Sequence, residues 1–241
     1  MTTDQTKYSS DTKYEPIRKP AEIAEYRLIE AILNDTFPIN SYLPAERDLS
    51  ASFGVTRPTL RETLQRLARD GWVEIHQGKP TRVRDYWQEG RLGVLNALSE
   101  HLDQLPEHFI NDLLNVRLAM APTYTYQAIA LAPDAVRKIL DGRHQLDQSP
   151  QKFTQFDWHL QHQMTVFSQN PVFVMILNSF KDLFINLAPF YFSIEEAREH
   201  SSLYYEELTI AVIKHDSEQA KILTEKIMRE SLFFWQQTKF I

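Results

Sequence analysis

From Ala21 onward, apolar residues recur at the three- and four-residue spacing of a helix face. Ile23, Tyr26, Ile29, Ile32 and Leu33 mark a first helix that ends near Asp35. Pro38 and Pro44 bracket a loop, and a short second helix follows over 45–53, with Leu49 and Phe53 turned inward. Gly54 breaks it, because glycine best supplies a left-handed turn. Thr56 is placed to cap a third helix through its hydroxyl, and Pro58 falls in the first turn, where a missing N–H matters little. Leu60, Leu64 and Leu67 carry that helix to Asp70, and Gly71 stops it. The period then shortens. Residues 72–75 (WVEI) and 81–83 (TRV) read as two strands joined by a turn at Gln77-Gly78.

From Gly93 the helical period returns and no strand-like alternation competes with it. Seven helices are predicted, at roughly 93–103, 106–131, 133–147, 151–168, 171–190, 195–214 and 217–239. The breaks fall at Pro106, Pro133, Pro150 and Pro171 and near Ser193, since the residue before a proline is pushed out of the helical region. The pattern therefore predicts a mostly α chain: a polar mobile tail over 1–20, then a winged helix-turn-helix over 21–84, made of three helices and a two-stranded wing. A linker over 85–92 leads to an all-α bundle over 93–241.

Composition narrows the possible functions. The 241 residues include no cysteine, which removes disulfide scaffolds, thiolate metal sites and cysteine nucleophiles. Only six glycines are present, too few for a glycine-rich nucleotide fold. The longest strongly apolar run, Val172 to Leu177, falls far short of the ~20 residues of a membrane span. The first ten residues lack the basic and apolar regions of a secretory signal, so a cytoplasmic protein is expected. Paired catalytic acids, an HExxH pair, a phosphate loop and nucleophile–base spacings are all missing, so no enzymatic activity is expected.

Charge is unevenly placed. Residues 54–84 carry seven Lys or Arg against three acids, a net +4 in a chain of net −6, which leaves −10 elsewhere. A basic module fused to an acidic one suits a polyanion. Arg57, Arg61 and Gln65 form one i, i+4 row beside the leucine stripe of the third helix. An arginine in such a row can grip a guanine edge with two hydrogen bonds. Lys79 beside Gly78 at the wing tip can approach a minor groove, and Arg82 and Arg84 suit phosphates better than bases. Arg66 and Arg69 read as solvated-face residues.

The runs LPAERDLS, GVTRPTLRETLQRLARDGW and GKPTRV resemble the N-terminal domain of GntR-type regulators. Within that family, LQRLARDGW followed by HQGKP is similar to the FadR group of fatty-acid-metabolism regulators, and the likeness extends over 21–241. The resemblance implies operator contacts from Arg47, Thr56, Arg57, Thr59 and Arg61, and from Gln77, Gly78 and Lys79 at the wing. Two departures bear on operator preference: Pro58 stands where the group has a threonine, and Gln77 takes the tip position of a histidine.

Two effector domains occur behind such winged helices. One holds a divalent metal through an aspartate and three histidines. Here Asp157 is followed by Gln161 where a histidine is required, and Tyr205 and a residue near Ile227 fill the other positions, so no metal is expected. The other is the FadR type, to which SQNPVF, YFSIEEAR and ESLFFW are similar. It implies no cofactor, a long-chain acyl-CoA effector between the helices, and contacts from Arg117, Tyr191, Ser231 and Trp235. Met228 stands at a glycine close to the ligand and Phe240 at a lysine, with Lys239 adjacent. Most of Phe180, Phe184, Phe190, Phe192, Phe233 and Phe234 read as core. Arg117, among Leu113, Leu114 and Leu118, needs a carboxylate partner or a ligand phosphate.

The resemblance thus implies a homodimeric transcription regulator with one winged helix on each half of a palindromic operator. It would repress fatty-acid degradation genes, activate unsaturated fatty-acid synthesis genes, and leave DNA when it binds acyl-CoA. The alternative is a GntR-type regulator answering a different small carboxylate.

Overall fold

The computed structural model describes residues 19–236. The tail expected before residue 19, and Lys239 and Phe240, lie outside the described residues. The chain divides into two units. The first holds the chain up to Arg69 together with Val73–Val83; the second holds Asp70–Trp72 and the chain from Arg84 on.

In the first unit, α1 (Pro20–Leu33), α2 (Glu46–Phe53) and α3 (Arg57–Asp70) precede a two-stranded antiparallel hairpin, β1 (Val73–Glu74) and β2 (Arg82–Val83). Val73 pairs with Val83 and Glu74 with Arg82. Of the expected apolar positions, Ile29 and Ile32 of α1, Leu49 of α2, and Leu60, Leu64 and Leu67 of α3 are buried, while Ile23, Tyr26, Leu33 and Phe53 are half-buried and Leu28, not expected, is buried. Gly54 closes α2 at φ +67°, a region where a side chain would clash with its own backbone. The Arg27 guanidinium donates to the Phe53 carbonyl at 2.8 Å and satisfies one of the open acceptors at the end of α2. Thr56 caps α3 as expected, its Oγ1 accepting from the Thr59 backbone N–H at 3.3 Å.

The loop expected between Pro38 and Pro44 does more than connect. Asn40 N–H donates to the Val83 carbonyl, Val83 N–H to that of Ser41, and Leu43 N–H to that of Thr81, all at 2.8–2.9 Å. Tyr42 forms an isolated antiparallel bridge with Arg82, so this segment runs along the open edge of β2. The two prolines hid it because they restrict the run to a few residues.

The second unit begins with Trp72, fully buried, whose ring lies 4.6 Å from that of Tyr86. The segment expected as a linker contains a helical turn, α4 (Tyr86–Glu89), held by that contact and by Trp87 against Phe109 at 5.8 Å. Gly71 has φ +97°, and a Cβ there would stand 2.9 Å from Glu89 O and Gly90 Cα, so only glycine fits the approach.

The remaining helices are α5 (Gly93–Leu98), α6 (Phe109–Leu131), α7 (Pro133–Leu140), α8 (Pro150–Phe167), α9 (Pro171–Ser179), α10 (Lys181–Tyr191), α11 (Glu195–Ile213) and α12 (Ser217–Gln236), with 3-10 turns at Leu102–Gln104 and Asp141–Gln145. Three spans differ from the sequence pattern. The first ends at Leu98 and the third tightens into a 3-10 turn after Leu140. The fifth breaks at Phe180 into α9 and α10, bent by 64°. The α6 helix packs against α12 and α8, α12 also meets α11, and α8 meets α10. A main core gathers Tyr124, Leu140, Phe153, Leu160, Tyr205 and Met228, and a smaller cluster gathers Ile110, Leu183, Leu187 and Trp235. Among the described residues no single helix is long and apolar enough to cross a membrane.

Candidate nucleic-acid interface and ligand cavity

The third helix buries its leucines and leaves Arg57, Arg61 and Gln65 exposed as one row, because side chains at i and i+4 share a face. Arg57 is the first residue of α3 and has no side-chain partner among the described residues. Arg61 is held by Glu46 of α2, Nε to Oε2 at 2.6 Å, while its side chain stays 67% exposed. That bond orients the guanidinium without burying it. Arg47 lies exposed in the first turn of α2, its Nε 3.0 Å from Asp48 Oδ1. The Thr56 and Thr59 hydroxyls bond each other at 2.8 Å. Glu46 is a part of this face that the sequence left unassigned; its only signal was its place beside Arg47 in the PAER run.

Gln77, Gly78 and Lys79 are exposed at the wing tip. Gly78 has φ +72°, and nothing lies within 4 Å of a Cβ built there, so the turn geometry and not crowding calls for glycine. Arg82 does not follow the expectation of a phosphate contact. Its guanidinium is held by Glu74 Oε2 at 2.9 and 3.1 Å and by Asn40 Oδ1 at 2.7 Å, which ties the wing stem together. Arg84 likewise faces Glu89 at 3.3 Å within the second unit. Arg66 pairs with Glu62 at 2.5 Å and lies 3.6 Å from Glu25, which holds its guanidinium charged. Lys79 has no ion-pair partner among the described residues. Lys79→Ala is therefore expected to weaken binding to all DNA sequences about equally and to lower the salt dependence of log K by about one for each bound winged helix. Anisotropy titrations across salt concentrations measure both.

In the second unit a cleft of about 100 Å³, partly open to solvent, lies between the helices. Its walls come from Ile110, Leu113, Leu114, Val116 and Met120 of α6, Leu177 at the end of α9, and Phe184, Leu187, Ala188 and Tyr191 of α10, with Phe180 and Phe192 at the ends of α10. Trp158 and Gln161 of α8 and Ser231 and Trp235 of α12 complete it. Of the expected effector residues, Arg117, Tyr191, Ser231 and Trp235 line the cavity together. Met228 does not. It is buried in the main core, and its carbonyl accepts from Ser231 Oγ at 2.8 Å. On α12 it sits three residues before Ser231 and shares its face, but its flexible side chain packs into the main core. Phe233 is exposed, and Phe234 stands against Tyr191 and His200 instead of in the cavity.

Arg117 has its partner. Its Nη2 donates to Asp157 Oδ2 at 2.7 Å, and the guanidinium lies 5.5 Å from the Phe184 ring centre. Burial is the largest influence and works against its charge, but Asp157, joined by Tyr124 and Tyr191, leaves the pKa raised. Asp157 Oδ1 accepts from the Tyr205 hydroxyl at 3.0 Å. Gln161 accepts from the Tyr124 hydroxyl at 2.7 Å, and the Tyr204 hydroxyl meets Thr224 at 2.9 Å. Burial pushes the phenols of Tyr124, Tyr204 and Tyr205 well up, and that of Tyr191 up to about 12, so all four stay protonated. Asp157, Gln161 and Tyr205, which stand at the positions weighed as metal ligands from sequence, are instead hydrogen-bonded to neighbouring side chains. Among the described residues no group of three His, Cys, Asp or Glu could hold a metal ion. His159 is exposed and His162 stands beside Trp158. Asp157, Gln161, Tyr124 and Tyr205 were not assigned to this site from sequence; the available signal was a carboxylate on the inward face of α8.

A winged helix that leaves an arginine row unburied has the geometry of a DNA-binding module. The comparisons make that class specific. Residues 20–83 match the gntR family of bacterial regulatory proteins, and residues 84–240 match the FadR C-terminal domain. The fatty acid metabolism regulator protein of Shewanella sp. (strain ANA-3) is 42% identical over 194 residues, 79% of each chain. That of Shewanella pealeana is 38% identical over 221 residues, 91% of this chain and 92% of its own. A solved structure of Lar, described as controlling the Listeria monocytogenes agr system, is 18% identical. It covers 92% of this chain and 99% of its own at a TM-score of 0.55, a likeness of fold. The chain belongs to the GntR family of bacterial regulatory proteins, in its FadR branch.

Proposed function

We propose that this protein regulates transcription of fatty-acid metabolism genes and leaves its operator when long-chain acyl-CoA binds in the cavity of the second unit. The regulated process is that named for the relatives above. As a homodimer it places one winged helix on each half of a palindrome, since two-fold protein symmetry is matched by two-fold operator symmetry. It represses degradation genes and activates unsaturated fatty-acid synthesis genes. The observation that carries the effector reading is the cavity itself. Its walls are aliphatic and aromatic, with a few polar groups at Arg117, Tyr191 and Ser231, which suits a fatty chain with one polar anchor. For release, the ligand must favour the DNA-free state; equal affinity for both would shift nothing.

Titration calorimetry of the full chain with hexadecanoyl-CoA, CoA and hexadecanoate tests the effector. Binding of the thioester with no binding of CoA alone is expected. If hexadecanoyl-CoA does not bind, this reading fails and a small-carboxylate effector takes its place.

A further inference from the structure

Among the residues that line the cavity, Arg117 is the one charged side chain, and its charge is already matched. Asp157 holds one edge of the guanidinium at 2.7 Å and is itself 7% exposed, so it stands behind Arg117 and not in the cavity wall. Arg117 keeps 23% of its side chain exposed. A guanidinium has five N–H donors, so donors remain for an occupant. The Tyr205 hydroxyl bonds the other Asp157 oxygen at 3.0 Å, which fixes the carboxylate and keeps it from turning away.

The consequence is electrostatic. Arg117 and Asp157 together carry no net charge. A carboxylate entering beside Arg117 adds an unmatched negative charge inside a weakly polarisable interior, with Asp157 facing it across one guanidinium. An uncharged acceptor, such as an ester or thioester carbonyl or a hydroxyl, takes the remaining donors without that penalty. We infer that Asp157, held by Tyr205, is a specificity-determining residue that makes the cavity select uncharged acyl chains against free carboxylates. The inference rests on the proposed acyl ligand and assigns a discriminating role to a residue that does not itself touch the chain.

The test compares dodecanoate with dodecan-1-ol, two chains that differ at one end, by calorimetry on the full chain and its Asp157→Asn variant. Hexadecanoyl-CoA, measured alongside on the unaltered protein, reads the proposed function separately. In Asp157→Asn the affinity ratio of dodecanoate to dodecanol is expected to rise by roughly tenfold or more, since Arg117 is left with an unmatched charge. The double variant Arg117→Gln, Asp157→Asn restores neutrality and is expected to return the ratio to near its original value. Should the single variant not fold, Tyr205→Phe frees Asp157 to turn and is expected to shift the ratio the same way by about threefold. An unchanged ratio in the folded variants, or an equal rise in the double variant, overturns the inference, as does a failure of both probes to bind. Absence of hexadecanoyl-CoA binding to the unaltered protein with a shifted ratio would instead remove the proposed effector and leave the role of Asp157 standing.

Discussion

Asp157→Ala is expected to destabilise the second unit by about 3–5 kcal/mol, because it leaves the Arg117 charge without its partner. The same change strands the Tyr205 hydroxyl, which is fully buried and now bonds Asp157. An unsatisfied buried donor adds about 1–3 kcal/mol of its own, part of it already within that range. For a chain of this size the thermal midpoint should fall by roughly 6–20 °C. The double variant Arg117→Met, Asp157→Leu separates the cost of an orphaned charge from the worth of the pair. Replacing both partners with apolar groups of similar volume is often neutral or stabilising, so most of the loss should return. Calorimetric unfolding of both variants checks this. A fall below about 1 kcal/mol for Asp157→Ala would show that water reaches Arg117 freely enough to replace the carboxylate.

Arg57→Ala is expected to abolish sequence discrimination more completely than any other single change on the α3 face. Arg57 begins the helix, is exposed, and has no side-chain partner among the described residues. Its guanidinium is free to seat on a base edge, where a bidentate contact is worth about 1–3 kcal/mol in each half-site. In the proposed dimer the two half-sites together amount to about thirtyfold or more. Arg66→Ala is the control, since Arg66 already bonds Glu62 and faces Glu25; it should change specific binding by less than about threefold. Competition of a specific duplex against random DNA measures both variants. Equal losses on the two DNAs for Arg57→Ala would make Arg57 a phosphate contact and not a base reader.

Much of this was legible in the chain, for reasons that differ along it. The winged helix could be read because its signals are local: leucines at helical spacing, Gly54 at the turn, Thr56 as a cap, and a change to strand character after Gly71. The same local logic placed the breaks at Pro133, Pro150 and Pro171. What failed was decided at longer range. The break at Phe180 falls within Asn178-Ser179-Phe180-Lys181-Asp182, which holds neither proline nor glycine, so no local signal marked it. The α4 turn depends on Trp72 and Tyr86 stacking, fourteen residues apart. Arg117 announced its need for a partner by sitting among leucines, but the partner is forty residues away on α8. Its aspartate read only as an incomplete metal ligand. Met228 stayed open in the chain, since a methionine at that position of α12 can narrow a channel or repack; its side chain lies in the core.

The direct test of the account is whether acyl-CoA and DNA compete through the protein. A duplex selected from a random pool by the full-length protein would be titrated by fluorescence anisotropy, with and without saturating hexadecanoyl-CoA, and with CoA as the control. The expected result is a DNA dissociation constant raised at least tenfold by the thioester and unmoved by CoA, within the 5–150-fold range of such couplings. Hexadecanoyl-CoA bound to the protein while DNA affinity stays unchanged would contradict it.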